Sequence, residues 1–216
     1  MKKFIMITPL QPVVKDRNTG EDRDLLQPIR YEAIGNSRLT YEKETRFPLM
    51  HLLNGYAEEG EEIKVITVTP NAQFAPLHLK QLEEEIGALQ KEKGFVCAGV
   101  ESISVAYAGD VDTQIDIFHK LLDYFEDGDA LYACLTFGNK PMPIAELMAI
   151  QYAYRVLRNV TIDCLIYGEF DHSSNPSVAR VFDITALVQL DEIVRVLADQ
   201  KVAEPKKFLD RLINAR

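Results

Sequence analysis

Short apolar runs alternating with stretches of helical period decide most of what this chain can become. Lys2 to Thr8, Glu62 to Pro70 (EIKVITVTP), Glu101 to Gly109 (ESISVAYAG), Asp129 to Thr136 (DALYACLT) and Thr161 to Phe170 (TIDCLIYGEF) are rich in apolar and β-branched residues. Such runs read as strands buried on both faces. Between them lie helical patterns: Tyr41 to Glu58, with Phe47, Met50 and Leu53 at helical spacing, and a segment capped by Asn71 that runs to about Lys91. Another opens at Asp110 and Asp112, with Ile115, Phe118, Leu121, Leu122 and Phe125 on its inner side, and a last one spans Pro141 to Arg158. Strand–helix alternation predicts a parallel sheet covered by helices on both faces.

The pattern then changes. Asp171 to Ser177 (DHSSNPS) is a turn too short for a crossover, so Val178 to Thr185 (VARVFDIT) should pair antiparallel with the strand before it, at one edge of the sheet. The expected fold is α/β: a Rossmann-like, doubly wound, mostly parallel six-stranded sheet with a C-terminal antiparallel hairpin. The main domain is expected over residues 1–198, with residues 199–216 as a helical tail. Ala186 to Asp199 and Pro205 to Arg216 (PKKFLDRLINAR) read as helices, the latter for packing. Residues 10–40 are polar and irregular, with Gly20, Pro28 and Gly35; they read as an insertion or hairpin, placed to act as a lid.

Composition narrows the ligand. A hydrophobic fraction of 47% supports a large core, and the formal net charge is -9. Long DNA or RNA is bound by neutralising phosphates, which an acidic chain does poorly; a small anion in one local basic pocket is not excluded. Cys97, Cys134 and Cys164 are far apart and sit in apolar runs, as free thiols of a reducing compartment do, so neither disulfides nor a metal is expected. The apolar run in MKKFIMITPLQP is too short for a signal peptide or a membrane span, which points to a cytoplasmic protein. With no GxxxxGK[ST] and no GxGxxG, no nucleotide cofactor is expected.

In a doubly wound sheet, ligands bind outside the carboxyl ends of the strands where strand order reverses. Here the reversal should bring TPLQP (Thr8 to Pro12) opposite LTFGNKPMP (Leu135 to Pro143). Gly138 lets the backbone turn sharply beside a ligand. Pro141 or Pro143 pre-sets a helical turn whose free amides and dipole favour an anion. Lys140 adds a full charge, and Asn139, Thr8, Thr136 and Gln11 add hydrogen-bonding groups. No carboxylate lies between Thr136 and Ile144 to oppose the lysine.

The same stretch resembles a motif of CRISPR-associated Rossmann-fold (CARF) proteins, close to Asp-x-Thr-His-Gly-x-Arg-x-x-Pro. Thr136, Gly138, Pro143 and a basic residue, Lys140, match; Cys134 and Phe137 stand where the motif has Asp and His. RFPLMHLL, VITVTP, IYGEF and FDITALVQLDEI are similar to further family segments. The resemblance implies a homodimer that binds a cyclic oligoadenylate, commonly cyclic tetra-adenylate, in type III CRISPR defence. It implies a pocket of Thr8, Pro9, Gln11, Thr136, Phe137, Gly138, Asn139, Lys140 and Gly168, with no long nucleic acid and no membrane as partner.

Relatives of this kind often carry a HEPN ribonuclease after the sensor, and the residues after Ala203 have room for one helix only. Arg46 and His51 match the Arg-x4-His spacing of such nucleases by chance, inside an expected packing helix. Two roles are left: a metal-independent ring nuclease in which the ribose 2′-hydroxyl attacks the adjacent phosphate, with Lys140 and Thr8 as the expected catalytic pair, or a binding module that holds the ring intact. A third class is an unrelated small-molecule enzyme. His51, His78, His119 and His172 are scattered and give it little support, and His172 beside Ser173 and Ser174 on one turn lacks the geometry of a nucleophile pair.

Overall fold

The computed structural model describes residues 1–15, 20, 22–171 and 178–214. β1 (Lys2–Ile7) is the central strand because its residues can be buried on both sides: Phe4, Ile5, Met6 and Ile7 are wholly inaccessible. It lies parallel to β5 (Glu62–Pro70) on one side and β7 (Ala130–Cys134) on the other, with Ile5 opposite both Ile66 and Ala133. β6 (Val96–Val105) extends the sheet beyond β5, and β8 (Thr161–Asp171) extends it beyond β7. β9 (Val178–Asp183) returns antiparallel to β8, with Tyr167 opposite Phe182. The turn that joins them lies, from His172 to Ser177, outside the described residues.

A seventh strand joins the six expected ones, and it comes from the irregular 10–40 segment. That segment holds a small hairpin of β2 (Val13–Lys15) and β3 (Asp22–Asp24), then β4 (Tyr31–Ile34). β4 pairs parallel with β9, Ala33 opposite Val181, so the β8–β9 hairpin lies one strand in from the edge. The sheet order is β4-β9-β8-β7-β1-β5-β6.

Among the described residues six α-helices correspond to the six expected segments, with shifted ends. α1 (Leu49–Tyr56) starts well after Tyr41, because Pro48 disfavours helical backbone in the residue before it. Upstream, Thr45 exchanges backbone hydrogen bonds with Ile29 instead, at 3.0 Å each way. α2 (Ala75–Lys93) is not capped by Asn71, whose amide extends the sheet by donating to Val105 at 2.8 Å. It ends at Gly94, in the left-handed conformation that closes helices. α3 (Val111–Leu122) is capped by Asp110, whose carboxylate accepts from the Thr113 amide at 2.8 Å. α3 packs on α4 (Pro141–Val156), with Phe118 edge-on to Tyr152 at 5.9 Å.

The chain forms two compact units, Met1–Asp183 and Ile184–Arg216. The second contains α5 (Thr185–Asp199) and α6 (Pro205–Asn214). The expected boundary, between 198 and 199, lies at the last residue of α5, whereas the compact units part before that helix. In the second unit Leu187, Leu190, Ile193, Leu209, Leu212 and Ile213 line an apolar groove of about 300 Å³. Among the described residues no helix is long and apolar enough to cross a membrane.

Candidate functional site

Strand order reverses beside β1. The chain moves outward through β5 and β6, then returns to the other side of β1 as β7 and continues to β8. The connections leaving β1 and β7 diverge at this point and open a crevice at the carboxyl ends of the two strands. Two adjoining cavities occupy it, and Gln11, Thr136 and Phe137 line both. One is an open corner of about 270 Å³, completed by Leu10 and Gly138. The other is a slot of about 240 Å³, walled by Leu25 to Ile29, Tyr31, Gly168 and Phe170. The insertion therefore supplies one wall of the crevice.

Gly138 shapes the corner. Its φ is +92°, and an added Cβ would lie 3.1 Å from Ile7 Cγ2 and 3.3 Å from Met142 Cβ. A larger residue would be strained in this backbone and crowded against β1. Thr136 ties the ends of β7 and β8 together, its hydroxyl oxygen accepting from the Gly168 amide at 2.8 Å. Gly168 has no room for a side chain, since a Cβ there would stand 2.5 Å from Pro48 Cγ. It spaces the slot rather than offering it a functional group.

Lys140 is exposed, immediately before α4, and among the described residues it has no ion-pair or hydrogen-bond partner. The helix behind it differs from expectation. Pro141 and Pro143 have no N–H, and the Met142 amide already donates to the Asn139 carbonyl at 2.9 Å. The first turn thus offers almost none of the free amides expected there. Three amides precede the helix, those of Gly138, Asn139 and Lys140, and none meets a protein acceptor among the described residues. Of these residues Gly138 lines the corner, while Asn139 and Lys140 follow it in the chain and line neither cavity. Asn139 reaches the Ala108 carbonyl through Nδ2 at 3.4 Å and leaves Oδ1 buried and unmet.

Thr8 stands apart from this group. It is wholly buried, and its hydroxyl lies 2.9 Å from that of Thr69, which also meets Thr67 at 3.1 Å and Ser102 at 2.7 Å. Its side chain lines neither cavity, so the floor contact expected of it is replaced by a hydroxyl cluster inside the sheet. Pro9 is buried as well, and its carbonyl accepts from His78 Nδ1 at 2.9 Å. Gln11 does reach the crevice, with a buried Oε1 that no protein donor meets.

Arg46 and His51 do not form a site. Arg46 pairs with Glu85 at 3.1 Å, while His51 is wholly buried with Nδ1 2.6 Å from the Leu39 carbonyl. Burial pushes its pKa down, against the opposing effect of that carbonyl. His172, Ser173 and Ser174 lie outside the described residues. Burial also pushes the Cys134 thiol up to about 12, an unreactive sulfur. Among the described residues no group of three or more His, Cys, Asp or Glu is placed to hold a metal ion.

Sequence reasoning missed the slot wall. The signal available was the apolar LLQPI (Leu25 to Ile29) inside an otherwise polar segment. It missed Tyr31 and Phe170 too, which reach the slot only through strand pairing. No protein-family model matches the chain, and no curated protein matches it.

Proposed function

We propose that this chain binds a cyclic oligoadenylate, cyclic tetra-adenylate first among candidates, at the β1–β7 crevice of a homodimer, and opens the ring. The reading places it with CARF proteins in the antiviral signalling of type III CRISPR systems. One observation supports it: among the described residues, the amides of Gly138, Asn139 and Lys140 and the Lys140 ammonium group, consecutive in the chain at the strand reversal, have no protein partner, in a chain whose net charge is -9. Among the described residues no carboxylate lines either cavity of the crevice, so none of them opposes a phosphodiester there. In ring opening the ribose 2′-oxygen bonds to the adjacent phosphorus and the bond from that phosphorus to the next 5′-oxygen breaks, leaving a 2′,3′-cyclic phosphate; the 2′-hydroxyl gives its proton to water and the departing 5′-oxygen takes one up. This asks the protein to hold the 2′-oxygen in line with the phosphorus and to stabilise charge on the phosphate. Lys140 supplies the charge and Gln11 and Thr136 the positioning contacts; Thr8 supports the crevice from inside.

A second reading is a sensor that holds the ring intact. It is favoured by the linings, whose described residues include no imidazole, thiol or carboxylate to move a proton. Labelled cyclic tetra-adenylate, mixed with the protein without added metal, separates the two. Linear di-adenylate products establish the nuclease, and an intact ring in a tight complex establishes the sensor. Neither binding nor cleavage overturns both. Light scattering tests the shared site: a dimer is expected, and a strict monomer at high concentration removes it.

A further inference from the structure

Behind the slot wall sits a buried group that the ring-binding reading does not use. His78, on α2, is wholly inaccessible. Its ring is held between the two chain segments that frame the crevice. Nδ1 lies 2.9 Å from the Pro9 carbonyl at the end of β1, and Nε2 lies 3.5 Å from Asp24 Oδ1 at the end of β3. Asp24 in turn organises the start of the wall. Its Oδ1 accepts from the Leu26 amide at 2.8 Å, its Oδ2 accepts from Gln81 Nε2 at 2.9 Å, and its carbonyl accepts from Gln27 Nε2 at 2.5 Å. Leu26 and Gln27 line the slot.

The chemistry of the two contacts fixes what a proton does here. A carbonyl only accepts, so Nδ1 must carry the hydrogen given to Pro9. In the neutral ring Nε2 is then a lone pair, buried and aimed at a carboxylate oxygen, and two acceptors face each other. At 3.5 Å that contact is longer than a formed hydrogen bond, and Nε2 has no hydrogen-bond partner among the described residues. Adding a proton turns Nε2 into a donor and the contact into a charge-assisted one. Among the described residues, Asp24 is the ionisable group against the ring. β1 presents the Pro9 carbonyl, and α2 presents Gln81, both uncharged. Burial pushes the Asp24 carboxyl up, but Gln81, the Leu26 amide and His78 together hold it below the ordinary range, so it stays an anion near neutral pH.

We propose that His78 and Asp24 form a proton-operated clasp that positions the Leu25 to Ile29 wall: seated when the imidazole is charged, loosened when it is neutral. His78 is a positioning residue, acting on the crevice through Asp24. The consequence for ligand affinity rests on the ring-binding reading above; the clasp itself does not.

Amide hydrogen exchange of the peptide spanning Leu25 to Ile29, corrected for intrinsic rates, tests the clasp without any ligand. Protection should fall by about tenfold between about pH 5.5 and about pH 8.5 in the native chain. Asp24→Asn and His78→Gln should both flatten that slope. Asp24→Asn, at a partly exposed side chain, keeps the test alive if His78→Gln fails to fold. A slope unchanged in Asp24→Asn, or protection that rises with pH in the native chain, overturns the proposal. Cyclic tetra-adenylate affinity should follow the same pH course. Exchange that behaves as expected beside a ring that never binds leaves the clasp standing and removes the ring-binding reading.

Discussion

The two ends of the central strands treat polar groups in opposite ways. At the amino ends every buried charge is answered. Lys3 and Asp129, both 2% exposed, pair at 2.7 Å, and Lys3 also donates to the Tyr124 carbonyl at 2.5 Å. The chain's own amino group reaches Asp129 at 3.4 Å, and Lys2 pairs with Glu61 at 2.7 Å. Around the carboxyl ends, Gln11 Oε1, Asn139 Oδ1, His78 Nε2 and Gln81 Oε1 are buried and unmet. An unmet buried polar atom costs about 1–3 kcal/mol, and folded proteins keep few of them. Among the described residues, one end of the sheet satisfies its buried charges internally, and the other keeps buried polar atoms without a protein partner.

The sharpest way to break this contrast is at the closed end. Lys3→Met leaves the buried Asp129 carboxylate with the terminal amino group at 3.4 Å and the Glu126 amide at 2.7 Å, and should remove about 3 kcal/mol, read as a lowered urea midpoint. Ring affinity of the molecules that remain folded should not change; a loss of affinity at equal folding would merge the two ends. Next comes Gly168→Ala, whose methyl group meets Pro48 at 2.5 Å. It should cost about 1–3 kcal/mol by the same assay, since the strand ends must part to admit it. A Gly168→Ala variant as stable as the native chain would show that the slot yields.

At the open end Lys140→Ala should leave stability within about 0.5 kcal/mol of native, because the side chain is exposed and unpartnered. Ring affinity should fall by about tenfold or more, the loss of one charge-assisted contact. Unchanged affinity in a binding titration would remove Lys140 from the site. The smallest effect expected is a slope. Glu146, on α4, is wholly buried with both carboxyl oxygens unmet, and burial holds its pKa well above the carboxylate range. The folded state therefore keeps this proton longer than the unfolded chain does. The stability it contributes is full below the unfolded value of about 4.3 and is lost as pH rises through the raised folded value. Glu146→Gln should flatten the dependence of the urea midpoint on pH and raise that midpoint at the alkaline end; an unaltered slope would mean that the group finds a partner in solution.

Much of this was legible in residue order. Apolar runs such as Lys2 to Thr8 fixed the buried strands, and their alternation with helices located the reversal and hence the crevice. Gly138 and Lys140 were visible for the same reason. Strand β4 was not, because its four residues, YEAI, carry too little pattern, and their edge position depends on pairing with residues far along the chain. Thr8 looked like a crevice residue because it ends a strand; only the lateral neighbours Thr69 and Ser102 show where its hydroxyl goes. The clasp was illegible because Pro9, Asp24 and His78 meet only in three dimensions. The loss of donors at α4 was readable from Pro141 and Pro143 alone, since proline chemistry needs no tertiary context.

Those two prolines bear on selectivity. A helix start stripped of its own N–H groups still projects a positive field, but the donors that could meet an oxygen stand one step earlier, strung along Gly138, Asn139 and Lys140. On the ring-binding reading, such an arrangement favours a ligand that spreads several negative groups over a wide rim, where weak attractions at separated points act together, over a lone inorganic phosphate.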